Sequence, residues 1–216
     1  RLQGDWSSDV CSSDLYVEFS GTNRAAFRNR GVVDIPGFDS ARVSVKRDGQ
    51  IEAAISTPSQ GQSQRTTFAR LLATALGIED GEISVVLGDT ATTPYGSGTF
   101  ASRSLVTGGG ALQVAARALR KRACDLAAML WQVEPSEVRF RDGGVVLAAD
   151  PTQHLTLAAL GALTESERDS LPARLADGLQ AEATFEPSSM PVTPGVHVAA
   201  VEVDTHTGAV KLQQIG

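Results

Sequence analysis

Residues Gly88 to Gly110 read Gly-Asp-Thr-Ala-Thr-Thr-Pro-Tyr-Gly-Ser-Gly-Thr-Phe-Ala-Ser-Arg-Ser-Leu-Val-Thr-Gly-Gly-Gly, and the rest of the chain is organised around them. An apolar run, Ile83 to Leu87, leads in, and a long helical pattern beginning near Leu112 leads out. Six glycines, many hydroxyls and one cation, Arg103, fill the stretch. Glycine lets a backbone approach a ligand or turn with positive φ, which residues carrying a Cβ resist. Amides at the start of the following helix would face whatever sits there, and the helix dipole favours an anion. Two readings stand at this point: a Gly/Ser/Thr-rich connector, or a cradle for a polar, anionic ligand.

A second stretch, Ser59-Gln60-Gly61-Gln62-Ser63-Gln64-Arg65-Thr66-Thr67, opens a helix predicted from about Ser63 to Leu76. Its apolar face is Phe68, Leu71, Leu72, Ala75 and Leu76, and Gly77 stands where a helix-ending glycine belongs. Nothing acidic occupies its first turn, so this start could suit an anion or polar head group, although taken alone it reads first as a polar-capped amphipathic helix. Ser40 to Lys46 alternates as a half-buried strand, and Ile51 to Thr57 returns from it as a hairpin. Residues 76–83 and 131–138 repeat one helix–acidic turn–strand pattern. The fold class is therefore α/β, mixed with α+β features: tandem loop-helix-turn-strand units with flanking β-hairpins. Two such units predict that both polar helix starts reach the same side of one sheet.

Formal net charge is −6, with acids and bases interspersed, so nothing recommends a nucleic-acid surface. No apolar run is long enough for a membrane span. Residues 1–15 lack a clear period, resemble a translated sequencing adaptor, and are set aside as a tail; 16–216 then form the domain. Cys124 remains as a lone thiol on a helical apolar pattern, and His154, His197 and His206 have no ligand spacing, so no protein-ligated metal is expected. The long helix should bury Leu112, Ala116, Leu119, Ala123, Leu126 and Leu130, leaving Arg120-Lys121-Arg122 as a solvated face. Further on, a short helix over 155–163, a charged connector over 166–176, a strand over 179–185, a Pro/Ser break over 187–194 and a hairpin around Thr205-His206-Thr207-Gly208 are predicted. The chain ends directly after a strand, which reads as a truncation.

Gly61-Gln62 ahead of Thr66-Thr67-Phe68-Ala69, followed by Gly88-Asp89-Thr90 and Thr93 through Ser104, closely resembles one family. It is the molybdenum-cofactor-binding large subunit of the xanthine dehydrogenase, aldehyde oxidase and aerobic carbon monoxide dehydrogenase type. The resemblance covers nearly all of 16–216, and it makes this chain a partial molybdopterin-binding domain. It implies an oxidoreductase that hydroxylates an aldehyde or N-heterocycle, or oxidises carbon monoxide, with oxygen from water. It further implies a molybdopterin cofactor in its cytosine dinucleotide form, partners carrying iron–sulfur clusters and FAD, the remainder of the large subunit, a dimer of heterotrimers, and a bacterial cytoplasmic location. Carried over residue by residue, the cofactor contacts are Gly61, Gln62, Ser63 and Gln64 from one loop, and Thr99, Phe100, Ala101, Ser102, Arg103 and Ser104 from the other.

Where the family often has glycine, histidine and glutamate, this chain has Ser63, Gln64 and Arg65. Arg65 then either adds charge for a phosphate or faces solvent. No catalytic residue is assigned: the family's general-base glutamate is expected beyond Gly216, and Glu79, Glu82, Glu134 and Glu137 read as surface acids. Two rival classes remain, a non-catalytic relative on the same scaffold and a generic phosphate- or nucleotide-binding module. The latter lacks any Walker A or Gly-x-Gly-x-x-Gly unit between strand and helix.

Overall fold

The computed structural model describes residues 15–166, 171–172 and 178–215. Most of the predicted connector, and the tail up to residue 14, lie outside the described residues. The chain divides into two units, the larger spanning 21–190 and the smaller combining 15–20 with 191–215.

The larger unit is built on β2 (Asp39–Val45) and β3 (Ile51–Ile55), the expected hairpin, paired antiparallel with Ala41 opposite Ile55. A crossover helix, α2 (Gln64–Leu76), returns the chain to β4 (Ile83–Leu87), which runs parallel to β3. Strand β8 (Gln180–Phe185) joins the far edge, antiparallel to β2, giving the order β4-β3-β2-β8. Helix α3 (Ser104–Trp131) lies along β8 and β2 and against α2. Phe68, Leu72 and Leu76 of α2, Leu112, Leu119 and Leu126 of α3, and Ala41, Val43, Ala53 and Ile55 of the sheet make one continuous core.

Strand β2 is buried along both faces rather than half-buried, because α3 covers one face and the residues after β4 reach over the other, where Arg42 Nη2 donates to the Thr92 carbonyl. Helix α3 starts eight residues before the sequence pattern predicts, so Gly108-Gly109-Gly110 is helical. The triplet is a packing surface rather than a loop. A Cβ on Gly110 would stand 2.3 Å from Phe185 Cδ1, and one on Gly108 3.0 Å from Thr57 Oγ1.

The repeated pattern is real but the predicted single sheet is not. Both helices end in a left-handed residue (Gly77, Gln132), and each is followed by a short 3-10 turn, Asp80–Glu82 or Pro135–Glu137. The second turn, however, feeds β5 (Val138–Arg141), which pairs with β6 (Gly144–Leu147) and β7 (His154–Thr156) in a separate three-stranded sheet. The helix predicted over 155–163 is α4 (Leu157–Ser166), capped by Thr156 Oγ1 accepting from Ala159 N; neither Thr152 nor His154 caps it. The basic run on α3 is not a solvated face either. Arg120 stacks 4.9 Å over Phe140 and Arg122 donates to the Gln180 carbonyl, leaving only Lys121 exposed. Within the polar segment after residue 20, a short helix, α1 (Arg24–Asn29), is capped by Asn23.

The smaller unit holds two antiparallel pairs. One is β1 (Leu15–Phe19) with β9 (Val192–Val196), so the Pro/Ser break ends in a strand. The other is the predicted hairpin, β10 (Ala199–Val203) with β11 (Val210–Ile215).

Candidate functional site

Both uncapped helix starts open onto one cavity of about 420 Å³, a volume suited to a small ligand. Gln62, Gln64, Thr67 and Phe68 contribute from the start of α2, and residues 99–105 from the start of α3. Neither N-cap residue, Ser63 or Arg103, makes a side-chain capping bond, and neither first turn holds an acid. Their orphan amides and aligned dipoles are therefore left to an outside acceptor. The two starts converge because β3 and β4 are adjacent and parallel, so the segments leaving them emerge at the same end of the sheet.

Backbone strain gathers at the same place. Ser63 (φ 59°), Ala101 (φ 48°) and Ser102 (φ 51°) are three of the five non-glycine residues with positive φ among those described. Left-handed non-glycine residues are uncommon and persist where surroundings over-determine them, often around a ligand.

Of the ten residues carried over from the resemblance, eight line the cavity: Gln62, Gln64, Thr99, Phe100, Ala101, Ser102, Arg103 and Ser104. Gly61 (φ 99°) and Ser63 shape the turn beside it without lining it. Gln60, Thr67, Phe68 and Leu105 also line it, although the resemblance carries none of them over as a contact; Thr67 and Phe68 sit three and four residues beyond Gln64, which is the helical spacing that would have found them. The two loops are tied together. Gln62 Oε1 accepts from Gln60 N at 2.6 Å, and Gln60 Nε2 donates to the Thr99 carbonyl at 3.2 Å.

Arg103 does not present its charge to the cavity. Its side chain is fully buried, and Nη1 lies 2.8 Å from Asp39 Oδ2. The same guanidinium donates to the carbonyls of Gly98, Gly37 and Phe38 and stacks 5.1 Å from the Phe100 ring centroid. Burial pulls its pKa below the ordinary value, opposed chiefly by Asp39 and then Glu186. Asp39, which sequence reasoning missed, is the centre of this arrangement. Its Oδ1 accepts from Ser56 Oγ, Ser97 N and Gly98 N at 3.0, 2.9 and 3.1 Å, and its Oδ2 from Thr107 Oγ1 at 2.5 Å as well as from Arg103. One carboxylate on β2 thus pins the loop before α3 and the first turns of α3 itself. Nor does Arg65 offer its charge there, since Nη1 donates to the Val85 carbonyl.

Glu79, Glu82, Glu134 and Glu137 are all exposed, as expected of surface acids. Cys124 is a half-buried free thiol whose pKa is raised, first by burial and then by Asp125. Among the described residues no group of His, Cys, Asp and Glu side chains could hold a metal ion, and no helix is long and apolar enough to cross a membrane.

The profile of the molybdopterin cofactor-binding domain matches residues 14–215. The carbon monoxide dehydrogenase large chain of Afipia carboxidovorans is 33% identical over 192 residues, covering 87% of this chain and 23% of the relative. The nicotine 6-hydroxylase large subunit of Paenarthrobacter nicotinovorans is 29% identical over 201 residues, covering 93% of this chain and 24% of the relative. The crystal structure of the Cu,Mo-containing CO dehydrogenase, in its carbon monoxide reduced state, superposes with a TM-score of 0.80 at 30% identity, over 94% of this chain and 25% of that one. The chain thus spans about a quarter of the length of the relatives it matches. Sequence profile, relatives and superposed fold agree with the cavity's chemistry, and the chain belongs to the molybdopterin cofactor-binding domain family.

Proposed function

We propose that this chain is the cofactor-holding part of a molybdenum hydroxylase large subunit, and the observation that carries the reading is the pair of acid-free, uncapped helix starts facing one cavity. The residues present fit a pterin bearing a phosphate. Helix-start amides suit phosphate oxygens, and a buried, unpartnered amide oxygen on Gln64 suits a heterocycle. When bound, the cofactor supplies the two-electron oxidation of an aldehyde, an N-heterocycle or carbon monoxide, with water as the oxygen source.

This chain's own residues bind, orient and enclose it. Gln62 closes the loop beside the cavity, Thr67 and Leu105 border its walls, and Asp39 with Arg103 fixes the α3 loop before any ligand arrives, which lowers the ordering cost of binding. Arg103 acts through that loop rather than by touching the cofactor. The cytosine dinucleotide form, iron–sulfur and FAD partners, the remainder of the large subunit, a dimer of heterotrimers and a bacterial cytoplasmic location complete the proposal, with 16–216 as a partial domain.

The test is molybdenum and pterin content of the full-length protein produced with its genomic neighbours. About one molybdenum per chain is expected, falling at least tenfold in Leu105→Trp, which fills the cavity from an exposed wall position, and in Gln62→Ala. A well-folded protein with neither metal nor pterin would sink this reading and favour a non-catalytic relative.

A further inference from the structure

Gln64 is only 6% exposed, and its amide oxygen Oε1 is buried with no hydrogen-bond partner. The other end of the amide is engaged. Nε2 faces Thr99 Oγ1 at 3.5 Å, Thr99 Oγ1 lies 2.5 Å from the Pro58 carbonyl oxygen, and Ser104 Oγ reaches Thr99 Oγ1 at 2.9 Å. Proton counting gives this chain a direction. A carbonyl only accepts, so the single proton of the Thr99 hydroxyl is committed to Pro58. Thr99 Oγ1 then has only lone pairs to offer, and the Gln64 atom facing it must be the amide nitrogen. Turning the amide over would set oxygen against oxygen. Oε1 is therefore held as a buried acceptor within a side chain that lines the cavity, with no proton within the fold to take.

Unmatched buried acceptors are costly and rare, and a cavity wall is where a ligand can supply the missing donor. We propose that Gln64 sets the polarity of this site: its Oε1 accepts a hydrogen bond from an N–H edge of the bound heterocycle, while the ligand's anionic end lies at the two helix starts. The inference rests on the cofactor reading above and adds an orientation to it. The helix-start amides donate and select phosphate oxygens. Gln64 does the reverse, because a phosphate oxygen against Oε1 would bring together two acceptors without a proton. A ligand seated end for end is thereby rejected, and a ring carrying amino or N–H groups, as a pterin does, is selected.

The test uses the full-length protein, with and without cofactor, and the variants Gln64→Leu and Gln64→Glu. Leucine keeps the bulk and removes the unmatched acceptor. Cofactor-free Gln64→Leu is therefore expected to melt at or above the wild-type temperature, while the loaded variant releases pterin roughly tenfold faster. Glutamate sets a carboxylate against the protonless Thr99 oxygen, so cofactor-free Gln64→Glu is expected to melt below wild type. An unchanged release rate in Gln64→Leu overturns the orientation. So does a cofactor-free Gln64→Leu that melts well below wild type, since Oε1 would then be satisfied inside the fold. A wild-type protein carrying neither molybdenum nor pterin removes the cofactor reading and this inference together. A loaded wild type with an indifferent Gln64 removes the inference alone.

Discussion

Asp39 and Arg103 are each fully buried and face one another, so each is tolerable only because the other is there. Arg103→Met leaves a buried carboxylate with its neutral donors but without its counter-charge, and is expected to cost about 3 kcal/mol or more in chemical denaturation. The double variant Asp39→Leu/Arg103→Met removes both charges and should recover much of that loss, while leaving the Ser97 and Gly98 amides without their acceptor and cofactor retention impaired. A double variant that stays as unstable as the single one would show that the neutral bonds to Asp39, not the ion pair, hold the loop. None of this pairing was legible from local pattern. The donors to Asp39 come from 17 to 68 residues away, and a lone arginine in a glycine-rich loop reads as a charge offered outward. What could be read were the two helix openings, because absent acids and abundant hydroxyls are local properties.

Gly96 and Gly110 carry the same lesson at the level of loops and helices. A Cβ on Gly96 would lie 2.2 Å from Ser56 Oγ and 2.5 Å from Asp39 Oδ1, so Gly96→Ala is expected to push the loop off its anchor and cost about 1–3 kcal/mol. Gly110→Ala would gain about 1 kcal/mol of helix propensity but drive into the Phe185 ring, and net destabilisation in thermal melts is the expected sign. Three consecutive glycines argue for a loop on propensity alone, and packing of α3 on β8 overrides them. The second helix–turn–strand unit was legible as a unit, yet its strand's choice of sheet was not, since pairing partners leave no trace in the strand itself. The β10–β11 turn offers a pH prediction. Backbone N–H groups of His206 and Thr207 donate to Asp204 and hold its carboxyl below the ordinary value. The turn's gain is full above the unfolded-state value and is lost as pH falls through the lower folded one. Amide shifts of His206 and Thr207 should therefore move together in the acid range where carboxylates titrate, and that step should be missing in Asp204→Ala.

At the scale of the molecule, order is unevenly distributed. Strands β2 and β3 are buried almost throughout, whereas all six residues of β11 are exposed, Val210 at 66% and Ile215 at 66%. An isolated two-stranded pair is marginal in water. Hydrogen exchange of this chain is expected to find β10 and β11 amides roughly a hundredfold or more less protected than those of β2 and β3. Equal protection would mean that the hairpin is held by more than its own ladder.

The register of the last strand in the larger unit bears on how the site comes into being. Asp39 pairs with Phe185, the residue whose ring also seats against Gly110. About eighty residues separate Ser104 from Phe185, so during synthesis the loops of the cavity leave the ribosome roughly 4–16 s before the strand that braces their anchor. The braced form of the site is therefore reached only after β8 has been synthesised.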